Sequence, residues 1–477
     1  MKYLLNLLLF VMLSAGAIEK DDLPLGLAKQ YSRDSAYRVV DDILMELSKN
    51  HPGFYRYTTK MEYNYYIDSI KHSIHDSVSF MDLYRKIKVL TAKVRCLHTD
   101  LKLSPEYAGL LNRNSNLIPI QLYVRGARAS ITRVFSENSG LLPGDEVLSI
   151  NGQPMPVIIA RLLNSIPSDG FNTSLKYRAM YLQFPLWYRT MVQVTDHFAI
   201  KVSRNNREYT FFLKGKAFDE LAHDGFLTEP VHEKVLDFTI KDNIGTLTIH
   251  SFAKTDIKRS GQHFRKFIDR AFSELRERNI QHLVVDLRDN TGGSDPNAVY
   301  FTAKFFDQPF RYGNRTLVTE DIARQIKGIY RIFYKKPILK DNVWLWQDGK
   351  VKDLNTFALV ENAKKHFSGK VYILINGFCM SSCANVTAIL SYNKKAVFIG
   401  QETGGGYQGN NSGMLPEEPV SNTGLILTVP LQAYYLAVNP SINVGRGTYP
   451  DISIEPTTED RINGKDVEMI KALQLIN

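Results

Sequence analysis

Two strand ends in this chain carry residues that could do chemistry. The first, "VVDLRDNTGGSDPNAVYF" (284–301), runs an apolar strand into Asp286, Arg288 and Asn290, then Gly292-Gly293, then a helix. Paired glycines between a strand and a helix leave backbone N–H groups open to a bound oxygen. A plain strand-to-helix turn also favours Gly and Asn. The second, "INGFCMSSCANVTAIL" (375–390), ends a strand, turns, and opens an apolar helix at Ser381 and Ser382, with Cys379 and Cys383 on either side. Free N–H groups at a helix N-terminus favour negative charge, which suits a nucleophile. A serine there is equally an N-cap, and the same position can activate a thiol. His98, in "RCLHTDLK", leaves a helix for an extended segment. A neutral imidazole there can take a proton near neutral pH, or cap the helix end.

The elements that must position these groups fall into three stretches. Residues 28–95 read as helical: Tyr37, Val40, Ile43, Leu44 and Leu47 recur at helix spacing until "NHPG" stops them. A second helix starts near Ser79, with Asp82 as a capping-box variant, and runs through Leu83, Tyr84, Ile87, Leu90 and Val94. From about 117 to 215 the pattern is short strands and turns, interrupted by the aromatic stretch "KYRAMYLQFPLWYRTMVQ". Residues 235–477 alternate strands such as "QHLVVDLR" and "GKVYILIN" with helices such as "GQHFRKFIDRAFSELRERN". That alternation predicts an α/β layer with substantial parallel character.

The 477 residues call for two or three domains, and 44% hydrophobic with 23% charged residues is the balance of a folded protein. "MKYLLNLLLFVMLSAGAIEK" has an early lysine, an apolar run and a small-residue "AGA", so residues 1–17 are expected to be a signal peptide. No later stretch reaches about 18 apolar residues, so no membrane span is expected after cleavage. Export to the periplasm or outside the cell follows as the expectation. The net charge of +10 is scattered and carries no nucleic-acid-binding motif, so solvated basic faces explain it. Three cysteines are too few for a disulfide scaffold, and no cysteine–histidine cluster has zinc spacing. No metal or other cofactor is expected.

"ASITRVFSENSGLLPGDEVLSINGQPM" resembles a PDZ domain, a module that binds extended peptide at a sheet edge. More specifically, "DLRDNTGG", "ILINGFCMSSCANVTAIL", "VFIGQETGGG" and "GTYPDISIEPT" resemble, in that order, the S41 peptidases, the tail-specific or C-terminal processing proteases with tricorn-like relatives. "HPGFYRYTTK" and "CLHTDL" look like the S41 proteins of Bacteroidetes-type bacteria. The resemblance implies a multidomain α/β protein. It would comprise a helical N-terminal domain (28–115), a PDZ-like β domain (117–215) and an S41 core (235–477) with a ClpP/crotonase-like layered sheet.

By the same resemblance, Ser381 is the nucleophile, the Ser382 backbone N–H is one oxyanion donor, and Gly292 or Gly293 supplies the other. Processing proteases draw their base from a lysine in a "G-E-x-T-F-G-K-G"-like stretch, but "GQETGGGY" has Gly406 in that place. The tricorn-like branch uses a histidine before the PDZ domain, which here is His98. Glu402, near the active-site loop, and Asp100 are candidates to orient it. Ala384 stands where the family pattern has an acidic residue. The implied activity is hydrolysis of unfolded proteins or C-terminal tails through an acyl-enzyme. The runner-up, motivated by the missing acid, is an inactive peptide-binding protein on the same fold. A cysteine hydrolase using Cys379 or Cys383 ranks third, and the insertion at 307–365 is expected to cover the cleft or meet a partner. The oligomeric state is not legible.

Overall fold

The computed structural model describes residues 29–227, 233–326, 331, 334–347, 358–363 and 365–476. The expected signal peptide lies outside the described residues, as does part of the 307–365 insertion. The chain divides into two compact units: 1–112 with 316–347 and 411–434, and 113–315 with 348–410 and 435–477.

The first unit is built on helices Arg33–Asn50, Lys60–His72 and Phe80–Ala92. Each has a side-chain cap, since the Ser32, Thr59 and Ser79 hydroxyls accept from Ser35, Glu62 and Asp82 N–H. Val40, Ile43 and Leu47 are buried along one stripe of the first helix, and Leu83, Tyr84, Ile87 and Leu90 along the third. The chain then turns through Arg95, at φ +58°, to reach His98. The strand Asp100–Leu103 pairs antiparallel with Leu425–Thr428, which pairs in turn with Glu417–Val420. Residues 411–434, grouped with the core on sequence, therefore lie in this unit with His98.

In the second unit, strands between Ile120 and Lys214 form an antiparallel sheet with helices Met155–Ser165 and Ser174–Met191. The aromatic stretch is this second helix. It bends at Gln183 ahead of Pro185, which cannot supply a helical N–H.

The α/β core of the same unit is a six-stranded sheet in the order Leu236–Lys241, Ile244–Ile249, His282–Asp286, Lys370–Ile375, Val397–Gly400, Ile452–Ser453. Only the first pairing is antiparallel. Successive side chains point to opposite faces of a strand. Leu283, Val285, Ile373 and Ile375 accordingly join one apolar cluster with helices Phe264–Glu277, Asp295–Thr302 and Ser381–Tyr392. Val284, Tyr372 and Leu374 join another with Ala472 of helix Val467–Ile476. Both faces are covered, which is why these strands read as unbroken apolar runs. Asp286 sits opposite Leu374 in the parallel register, so the two chemistry-bearing loops leave neighbouring strands at the same edge. Ligands of open α/β sheets bind at such carboxyl ends.

Candidate active site

Ser381 opens helix Ser381–Tyr392 at φ +51°, the left-handed region that few non-glycine residues enter. Its neighbour Met380 is extended, and the Met380 carbonyl accepts the N–H groups of Cys383 and Ala384 at 3.0 and 3.3 Å. The helix thus starts on a backbone carbonyl with no side-chain cap, which removes the N-cap role from both serines. Among the described residues neither the Ser382 N–H nor the Gly293 N–H has an acceptor, and the buried Ser382 hydroxyl has no partner. A non-glycine residue is held in this strained conformation only when its surroundings over-determine it.

Hydrogen bonds between the two loops supply that restraint. The Asn290 carbonyl accepts the Met380 N–H at 3.2 Å, while its buried amide donates to the Ile249 carbonyl at 2.8 Å. Asn376 joins the two loops again, accepting the Asp289 N–H at 3.0 Å and donating to the Asp289 carboxylate at 2.9 Å. Arg178 clamps that carboxylate with two bonds of 2.8 and 2.6 Å. The guanidinium and the Asn376 amide pull the Asp289 carboxyl below its ordinary range, against its burial.

The glycines are obligatory. A Cβ on Gly292 would lie 2.8 Å from Ser381 Cβ and 2.9 Å from Ser382 N. One on Gly293 would lie 2.2 Å from Ala253 N. Their amides differ, however: Gly292 donates to Asn290 Oδ1 at 2.9 Å, whereas the Gly293 N–H has no acceptor among the described residues. The Thr403–Gly405 run passes over the turn, where a Cβ on Gly405 would meet the Ala384 methyl at 2.5 Å and Ser381 N at 3.1 Å. An acid at 384 would crowd this run. At Gly406 a side chain would start 2.6 Å from the Gly409 carbonyl, so the lysine place of the processing proteases is closed.

Other sequence candidates have structural occupations. Both Glu402 oxygens are engaged, by the Arg446 guanidinium and the Gly447 N–H. Arg288 forks onto Asp286 and Asp466. Asp451 accepts the Phe398 N–H at 2.7 Å, pinning the "GTYPD" segment to its neighbouring strand. Cys379 and Cys383 are fully buried, unbridged thiols, with the Cys379 Sγ donating to the Leu287 carbonyl at 3.0 Å. Burial pushes the Cys383 thiol well above its ordinary range, the opposite of a nucleophilic thiolate.

His98 belongs to the first unit. Its Nδ1 is buried without a partner among the described residues. Burial lowers its pKa to about 4, with the Asn411 backbone opposing, so the ring is neutral at pH 7. Asp100, its sequence neighbour, pairs instead with Lys88. Asn290, Asn376 and Arg178 do the positioning, and only Asn290 stood out in the sequence. "ING" before the loop was a signal for Asn376, since asparagine bonds local backbone groups readily.

A strained serine at a helix N-terminus, beside backbone N–H groups of two loops that have no acceptor among the described residues, is an arrangement that could serve a serine hydrolase. Residues 243–454 match the model of peptidase family S41. That segment is an S41 peptidase core, and the protein is a serine-type peptidase. Its fold is similar to the crystal structure of mature CPAF, with a TM-score of 0.62 at 13% identity over 93% of this chain and 97% of that one. Mature CPAF complexed with lactacystin matches with a TM-score of 0.59 at 12% identity, over 93% and 98%. No curated protein sequence matches the chain.

Proposed function

We propose that the protein is an exported endopeptidase that cleaves unfolded chains or chain ends through a Ser381–His98 acyl-enzyme mechanism. The observation that carries it is Ser381 at φ +51° with free Ser382 and Gly293 amides beside it. Ser381 Oγ attacks the scissile carbonyl carbon as its proton passes to His98. The developing oxyanion is held by the two N–H groups. On collapse the leaving amine takes the proton from His98, and water then releases the acyl group by the reverse route. The neutral His98 imidazole and the closed lysine place at Gly406 favour histidine over a Ser-Lys dyad.

The sheet between Ile120 and Lys214 is the PDZ-like module in this reading. Its Gly-Leu-Leu-Pro-Gly-Asp turn has Gly140 and Gly144 at φ +77° and +96°, and Asp145 held by Arg204 at 2.6 Å. It would present an extended chain end to the core. The apolar leader at the N-terminus supports export. Cleavage of an unfolded protein by the wild type, Ser381→Ala and His98→Ala tests the mechanism. Both variants should fold and lose activity, and full activity in either overturns it.

A further inference from the structure

Strand Arg207–Lys214 is the outer strand of the Ile120–Lys214 sheet, paired among the described residues on one side only, with His197–Arg204. Residues Arg207 to Thr210 are exposed, and Phe212 is 80% exposed. A two-residue turn, Asn205-Asn206 at φ +50° and +61°, closes the hairpin on the Arg204–Arg207 pair. In such a hairpin the closing pair exchanges both backbone bonds, and bonded and non-bonded pairs alternate from there. Arg207, Tyr209, Phe211 and Leu213 therefore bond the inner strand. The N–H and C=O groups of Glu208, Thr210, Phe212 and Lys214 face outward.

The side chains divide the same way. Leu213 is buried, and the Arg204 guanidinium lies over the Tyr209 and Phe211 rings at 5.7 and 5.6 Å. Glu208, Thr210, Phe212 and Lys214 occupy the solvent face. Open edges are commonly blunted by a proline, a bulge or charged side chains; this strand has no proline or bulge, and its outward-facing charges are one acid and one base, Glu208 and Lys214.

We propose that this edge pairs antiparallel with the same edge of a second copy, about a two-fold axis at Phe211. In that register Thr210 lies opposite Phe212 of the other copy, and Glu208 opposite its Lys214. The four outward residues close among themselves with opposite charges face to face. The neighbouring registers fail. An axis at Thr210 sets Glu208 against Phe212. An axis at Phe212 sends Glu208 to Lys216, beyond the strand, where Lys216 already pairs with Asp224 at 2.6 Å. Glu208 also meets its own chain's Lys201 at 2.5 Å, so its carboxylate can bridge the two cations. A single short ladder buries less than the ~1,200 Å² of a standard interface, so the dimer is weak and concentration-dependent.

The test is sedimentation velocity of the full chain from about 1 to about 200 μM, a range that brackets a micromolar Kd. The wild type should shift from monomer to dimer. Glu208→Lys should raise Kd at least about tenfold, and adding Lys214→Glu should restore association. Thr210→Pro, which removes an outward N–H that the folded chain does not use, should abolish the dimer and leave the melting transition in place. A monomer at every concentration overturns the proposal, as does a dimer indifferent to both Thr210→Pro and Glu208→Lys.

Discussion

Replacing Gly292 by alanine should cripple turnover while leaving the protein folded. The new Cβ would begin 2.8 Å from both Ser381 Cβ and the Met380 carbonyl, and 2.9 Å from Ser382 N. Ordinary contact requires about half an ångström more, which is the whole positional tolerance of a catalytic group. The atoms that must yield are Ser381 Cβ and Ser382 N, the proposed nucleophile's carbon and a proposed oxyanion donor. Misplacing one such donor costs about 100-fold in kcat, or ~2.7 kcal/mol. Because the donors act on the transition state, KM should stay near the wild-type value. Strain from φ +97° adds about 1–3 kcal/mol of instability, seen as a Tm lower by a few degrees. Gly126→Ala is the control. It has φ +58° and nothing within 4 Å of its Cβ, so it should lose comparable stability with kcat unchanged. Steady-state kinetics on a peptide substrate and differential scanning calorimetry read both quantities. A folded Gly292→Ala enzyme with kcat within about threefold of wild type would refute the reasoning.

Three further outcomes follow from the same geometry. Ser381→Gly should melt higher than Ser381→Ala, by about 1 kcal/mol in stability, because glycine relieves the positive φ; equal stabilities would contradict stored strain. His98 is held at about 4 by burial, below its ordinary 6.5, so kcat/KM should stay level from neutral pH to about 5 and fall through about 4. Protons taken up only by the unfolded chain should also erode stability as pH drops from 6.5 toward 4, less steeply in His98→Gln; His51, held at about 3, adds to the same fall. Glu402→Gln should cost about 2 kcal/mol by loosening Arg446 and Gly447, without moving the pH profile of kcat, as a loop fastener would and a histidine-orienting group would not.

The core strands around Val284 and Ile373 were legible because a sheet covered on both faces writes continuous apolar runs, and the 264–275 helix because its apolar stripe repeats at helix spacing. Ser381 stood out as a candidate only through the order of several motifs, since "MSSC" alone reads equally as a cap. What escaped depended on long-range placement. The pairing of Leu101 with Leu427 carries 411–434 into the His98 unit, and nothing local announces it. The division of labour between Gly292 and Gly293 rests on where the Asn290 side chain turns, and the occupation of Glu402 on an arginine far along the chain. Gly406 was informative at both levels: the absence of lysine is visible in the sequence, and the contact with the Gly409 carbonyl gives its physical reason.

The most direct measurement of the central claim is covalent labelling with a serine-directed fluorophosphonate, read by intact mass and peptide mapping. A single adduct is expected on Ser381 of the wild type and none on Ser381→Ala, with Cys379 and Cys383 unmodified. A folded wild type that takes no label, or a label that persists in Ser381→Ala, would contradict it.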